Sequence, residues 1–518
     1  MNKKWRYVCG VLVVVACAFF GIKGERERAA ARAEAAAPAV AKADADVTPS
    51  RAAAKAADRK APETRADGAS ESGVAGDEAL APAERALLAR LPANALRASL
   101  RRAGPEARKR VLEKMVRLNV PKEDYRSLRM TTDGGLYYVC EIPGATPAGA
   151  AQALDRRTVT EVKRDSTKKA AAMPMPISSP PVRHSRPGAK NVLFLDFGGM
   201  TITGTAWNSQ TGAAASYAAQ PYDTDGDRST FSDEEQTTII QVWERVAEDY
   251  APFDVDVTTQ KPTTFTRTTG RALITGSIDS HGVKMPDSDA GGVAFLDVFG
   301  ESDYATRWSP ALVYYNSWSD ASSIAETVSH ELGHNLSLSH DGRTDGTEYY
   351  SGHGYGNTSW GPIMGAAFSQ NVTQWSKGDY YLANNTQDQL AILASHLSYR
   401  TSTVGRTIAT ATALAFVDGE VSQTGVLFGT GDVYRFASAE GTIEISAATY
   451  RPARGTNGGN ADIKLELLDA NGHVVASADP PADTNASLSY VAVAGNYYVR
   501  LTPGSSGQPM AYATDGFT

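Results

Sequence analysis

His330-Glu331-Leu332-Gly333-His334-Asn335-Leu336-Ser337-Leu338-Ser339-His340-Asp341 is the stretch that decides how this chain folds. Positions four apart share one face of a helix, so His330 and His334 reach toward the same point. Glu331 lies beside that point without joining the pair. His340 can meet them only if the chain leaves the helix and turns back. Two histidines around a glutamate, with a third six positions on, is a metal-gripping pattern. Three imidazoles leave the fourth corner of a zinc ion open to water, as in a catalytic centre. With 8 His among 518 residues, chance seldom assembles such a run. Its flanks suit a helix. Ile324, Ala325, Val328, Leu332 and Leu336 recur with the helical period, Ser322 or Ser323 can cap the start, and Glu326 suits the first turn. Gly333 permits a close approach to the helix.

Some two dozen residues later comes Gly361-Pro362-Ile363-Met364-Gly365, a tight turn carrying a methionine. With the histidine run, it makes the stretch from about 185 to 400 resemble a metzincin zinc endopeptidase of the reprolysin (adamalysin-like) kind. Asp341 after the third histidine is the reprolysin residue; astacin-like and serralysin-like enzymes differ there. Asn191–Gly199 resembles the family's first strand, Trp243–Val255 a helix leading to the next strand, and Gly291–Phe295 the edge strand along which substrate binds. The resemblance implies Zn²⁺ on His330, His334 and His340, Glu331 as general base, and Asp341 and Met364 supporting the site from below. It also implies a protein or peptide substrate. The family usually has Gly three residues before the third histidine, where the backbone turns to positive φ. Ser337 stands there in this chain, at a cost on the order of 1 kcal/mol unless the turn is rearranged. Two other readings stay open: an inactive adhesion or matrix-binding protein that keeps the fold, and a zinc hydrolase of non-peptide amides.

The expected fold class is α/β. A mixed twisted sheet carries the active-site helix, an all-β sandwich follows, and a signal and pro-region precede. Basic residues up to Arg6 followed by an apolar run from Tyr7 to Ile22 read as a signal peptide or signal anchor over 1–24. An uncleaved anchor would be the chain's contact with a membrane. Residues 25–77 are an Ala- and charge-rich spacer, and 78–184 read as a pro-region with helical and strand-like segments. The catalytic domain spans 185–400. Residues 404–518 alternate like a β-sandwich and resemble the bacterial pre-peptidase C-terminal domain, in the Asp432–Phe436 strand and the Ala494–Val499 ending. Net charge is −7 and pI about 5.7, a balance that points to no nucleic acid and no polybasic membrane patch.

Of 3 Cys, Cys9 and Cys17 lie in the apolar leader, which leaves Cys140 alone in the exported part. It reads either as a small buried strand residue or as a latency ligand, since a thiolate would fill the open zinc corner. Asp223, Asp225 and Asp227, with Glu234 at the twelfth place, half-match a Ca²⁺ loop. Arg228 stands where that loop needs Gly, so a polar loop before a helix capped by Ser232 is the other reading.

Overall fold

A computed structural model describes residues 11–18, 80–141, 177–210, 212–318, 320–427, 431–449 and 459–504. The spacer over 25–77 and most of the expected signal lie outside them.

Three helices open the stretch over 80–141: α1 (Pro82–Arg90), α2 (Ala95–Arg102) and α3 (Pro105–Arg117). Proline at the first turn of α1 and α3 supplies the fixed φ a helix start needs, and Asn94 caps α2. Their apolar faces bury Leu91, Leu96, Leu100, Val111, Leu112 and Met115. Strands β2 (Leu128–Met130) and β3 (Leu136–Cys140) close the region.

The catalytic region contributes β4 (Asn191–Asp196), the hairpin β5 (Met200–Thr203) and β6 (Ser216–Ala219), β7 (Val255–Thr258), β8 (Thr269–Thr275), β9 (Gly292–Phe295) and β10 (Ala311–Tyr314). One seven-stranded sheet runs β2-β3-β9-β10-β8-β4-β7. Strands β7, β4, β8 and β10 are mutually parallel and almost wholly buried. β9 reverses direction, and β3 and β2 extend the sheet beyond it. The segment expected as a pro-region therefore shares its backbone pairing with this sheet. Residues 177–184, assigned to the pro-region from sequence, also reach that part of the fold: Ile177 bridges Phe231 and His184 bridges Thr258.

Helix α4 (Asp233–Asp249) begins with the expected capping box, Ser232 against Glu235. Helix α5 (Ala321–Asn335) packs on α4 and on β8, β9 and β10. Its cap is Asp320, whose carboxylate accepts the Ser323 amide; Ser322 and Ser323 lie inside the first turn, and Glu326 falls one turn later. Strands β11 (Trp360–Pro362) and β12 (Val372–Gln374) flank the Met364 turn, and α6 (Gln389–Leu397) follows.

Two further sheets hold the C-terminal strands. One runs β13 (Thr412–Ala413), β15 (Asp432–Ser438), β20 (Gly495–Pro503), β17 (Ile463–Leu468), β18 (Val474–Ala478). The other runs β14 (Glu420–Gly425), β1 (Val11–Ala18), β16 (Gly441–Ala448), β19 (Ala486–Ala492). Both feed one apolar core that includes Phe436, Ile443, Ile445, Leu465 and Val499. Thus Val11–Ala18, part of the apolar leader, is paired as a strand between β14 and β16. No helix among the described residues is long and apolar enough to cross a membrane.

Candidate metal centre

Helix α5 delivers His330 and His334 from adjacent turns, as their spacing requires, and then stops. Its end is a Schellman turn: Leu338 N–H donates to Gly333 O and Ser337 N–H to His334 O. This needs a left-handed residue at Ser337, and φ there is 80°. The family-like turn is kept with a serine in it. Ser337 Oγ is held by Asp297 Oδ1 at 2.6 Å and by His396 Nε2 at 2.9 Å, two hydrogen bonds a glycine could not make.

The turn brings His340 back to the helix. The rings of His330, His334 and His340 lie 4.7–5.1 Å apart between centroids. His330 Nδ1 donates to Ile363 O at 2.9 Å and His334 Nδ1 to Leu338 O at 2.7 Å, so each Nε2 carries a free lone pair. Buried His330 Nε2 has no hydrogen-bond partner among the described residues. Burial pushes His330 down to about 4 and the other two well below their usual range, which keeps the imidazoles neutral as metal ligation requires.

Cys140 comes to the same point from β3. Its Sγ is 3.4 Å from His334 Nε2 and 3.6 Å from His340 Nε2. The four ligand atoms all lie within 4.8 Å of one another, and all four side chains are buried. Three imidazole nitrogens and one sulfur around a common centre form a donor set that suits Zn²⁺. The orphaned Nε2 and the buried thiol are what such an ion would satisfy.

Glu331 is beside this group. Its carboxylate is fully buried and meets no hydrogen-bond partner among the described residues apart from the neighbouring Cys140 thiol. Burial pushes its pKa well up. Gly292 makes the room, since a Cβ there would overlap the Glu331 carboxylate. Gly333 serves Met364 in the same way, because a Cβ would stand 2.7 Å from its sulfur. Asp341 follows His340 and is buried: its amide donates to Met364 O, and its carboxylate accepts Gln389 Nε2 at 2.8 Å. Burial raises Asp341 to about 7.

Several neighbours escape a sequence reading. Asp124 and Glu348 bring carboxylate oxygens within 3.8 and 3.5 Å of His340 Nδ1. Tyr138 stacks on His334 at 4.1 Å and hands its hydroxyl to Asp124. Tyr349 lies 4.4 Å from the ring of His340. Of these, Tyr138 alone carried a hint, two residues before Cys140 on an alternating strand.

The expected calcium loop assembles differently. Asp223 and Asp225 group with Glu235, while Asp227 and Glu234 stay outside. Glu235 is the residue that turns back, because it closes the capping box of α4; its carboxylate accepts the amides of Thr224 and Ser232. Asp227 caps Ser229 and Thr230, and Arg228 pairs with Asp223 at 3.4 Å. His353 pairs with the Tyr350 hydroxyl at 2.8 Å.

Residues 275–376 match the family model of metallo-peptidase family M12, reprolysin type. The matched span holds all three histidines, Glu331, Gly292, Glu348 and Met364. It leaves out Cys140. No curated protein and no solved structure matches the chain. With the histidine and cysteine cluster, the M12 match suggests a zinc peptidase acting on protein or peptide substrates.

Proposed function

We propose that the chain is an exported, latent zinc endopeptidase of the reprolysin type. The convergence of three neutral imidazoles beside a buried glutamate carries this reading. His330, His334 and His340 would hold the ion. Bound zinc supplies Lewis acidity and an acidified water near neutral pH. Glu331 takes the water's proton on its carboxylate and returns it to the leaving amine. Gly292 leaves that carboxylate free to reach both. Met364 and Asp341 hold the His340 loop against α5.

Latency follows from Cys140. Its sulfur would take the fourth corner of a bound ion, and β3 fills the lane along β9 that an extended substrate needs. Removal of residues 78–176 would clear both. Export rests on the basic and apolar leader, and a calcium ion at Asp223, Asp225 and Glu235 remains part of the proposal. We read residues 404–518 as a β-sandwich of the pre-peptidase C-terminal kind, supported by the core its two sheets share.

The test is cleavage of casein by the processed protein. Activity abolished by a chelator and restored by zinc supports the reading. A processed, zinc-loaded protein that leaves casein intact defeats it in favour of an inactive binding protein.

A further inference from the structure

The pro-region strand traces the cleft as an extended peptide would. β3 lies antiparallel to β9, with Tyr137 opposite Phe295 and Cys140 opposite Gly292. The Gly291 amide donates to Cys140 O at 3.0 Å and the Leu296 amide to Leu136 O at 2.9 Å. Such bonds use only backbone, so any strand could take them. Side chains alternate along it. Leu136, Tyr138 and Cys140 take the side that holds the imidazoles and the pro-region helices, and Tyr137 and Val139 enter the core on the other side.

Tyr137 therefore sits in a pocket made by residues that stay behind when the pro-region leaves. Trp207 and Phe295 meet its ring edge-on at 5.4 and 5.6 Å. Neither wall depends on Tyr137. Trp207 Nε1 donates to Pro310 O at 2.8 Å, and Phe295 packs on Trp308 at 5.1 Å. Asp287 stands at the end of the pocket with its carboxylate toward the Tyr137 hydroxyl. Its backbone is left-handed, φ 45°, and the Ala290 amide closes the turn on its carbonyl. Its Oδ2 is buried without a hydrogen-bond partner among the described residues. Arg129 of the pro-region is the cation that faces it, and this too departs with the pro-region.

We propose that this pocket is a specificity subsite: in the processed enzyme it takes a substrate tyrosine, its ring against the packed pair Trp207 and Phe295 and its hydroxyl on Asp287. That tyrosine lies on the N-terminal side of the scissile bond, three residues before the one at the imidazoles. The inference rests on the peptidase reading. The aromatic walls select a ring. The half-buried acid, whose Oδ2 has no partner among the described residues, selects a ring with a donor at its tip, because phenylalanine would leave that oxygen unpaired. Burial raises the Asp287 carboxyl, which favours a phenol over a cation.

Quenched peptides carrying the sequence of Leu136–Glu141 with Cys140→Ala, and Tyr, Phe, Arg or Ala in place of Tyr137, test this on the processed enzyme. Tyr should exceed each of the others by about tenfold or more in kcat/KM. In Asp287→Gly, which suits the positive φ, the Tyr/Phe ratio should fall to about one. Asp287→Asn keeps an acceptor and should retain part of the preference. Equal cleavage of Tyr and Phe peptides by the parent enzyme, preferred cleavage of the Arg peptide, or an unchanged ratio in Asp287→Gly overturns the subsite. Chelator-sensitive casein cleavage in the same preparation separates the two claims. Casein cut without selection at this place sinks the subsite alone, and casein left intact sinks the peptidase reading with it.

Discussion

A methyl group at Gly292 would stand where the Glu331 carboxylate is. Gly292→Ala should therefore displace the carboxylate without touching an imidazole. Activity should fall by about a hundredfold, since small misplacements of a reacting group cost that much, while metal analysis finds zinc content unchanged. Glu331→Gln should lose on the order of 10²–10⁴ in kcat with zinc likewise retained. Wild-type turnover in either variant would remove Glu331 from the mechanism. Ser337 answers a different question. Ser337→Ala keeps the positive φ and loses both side-chain hydrogen bonds, so urea unfolding should show a loss of about 1–2 kcal/mol. Ser337→Gly trades those bonds for relief of about 1 kcal/mol of backbone strain and should unfold close to the parent. The residues themselves were legible: the His330 to His340 spacing implied their convergence, and the departure at Ser337 marked the strained residue of the turn between them. Asp124 and Glu348 were not, because Asp124 lies far from His340 along the chain and Glu348, though near in sequence, has no helical or strand spacing that would turn it toward His340.

At the scale of the element, α5 and β3 differ in how they could be read. α5 announces itself through a local period, and only its cap was misplaced, by the neighbouring Asp320. β3 was visible as an alternating strand, but its partner was not. Strand pairing joins residues more than 150 positions apart, and register is set by which face is buried. That pairing turns Cys140 from a lone thiol into a fourth donor. Cys140→Ser in the intact chain should release casein cleavage before any processing, below that of the processed enzyme because β3 still fills the lane. An intact variant as silent as the parent intact chain would assign latency to the strand alone.

Over the whole molecule, one buried acidic group joins α4, α5 and the segment before β17. Asp249 accepts Ser329 Oγ and Asn460 Nδ2, and Asn460 Oδ1 in turn receives the Thr373 amide. Glu248 and Glu326 lie beside Asp249, and Arg245 is the nearby cation. Burial raises all three carboxyls, Glu248 from an ordinary 4.5 to about 8. A raised carboxyl binds its proton more tightly when folded than when unfolded. Its contribution is complete below pH 4.5 and is lost as pH rises through about 8. Urea midpoints should therefore fall between pH 5 and 9, and Glu248→Gln should flatten that fall. An equal slope in parent and variant would contradict this. The C-terminal strands were readable from their short alternating runs. Composition could not foresee that β2 and β3 complete the seven-stranded sheet, nor that Val11–Ala18 pairs as a strand.

Zinc K-edge X-ray absorption on the intact, zinc-loaded chain tests the central claim most directly. The account predicts one ion with three nitrogens at about 2.0 Å and one sulfur at about 2.3 Å, the sulfur giving way to oxygen in Cys140→Ser. A chain that retains no zinc, or a coordination shell with fewer than three imidazole nitrogens, would contradict it.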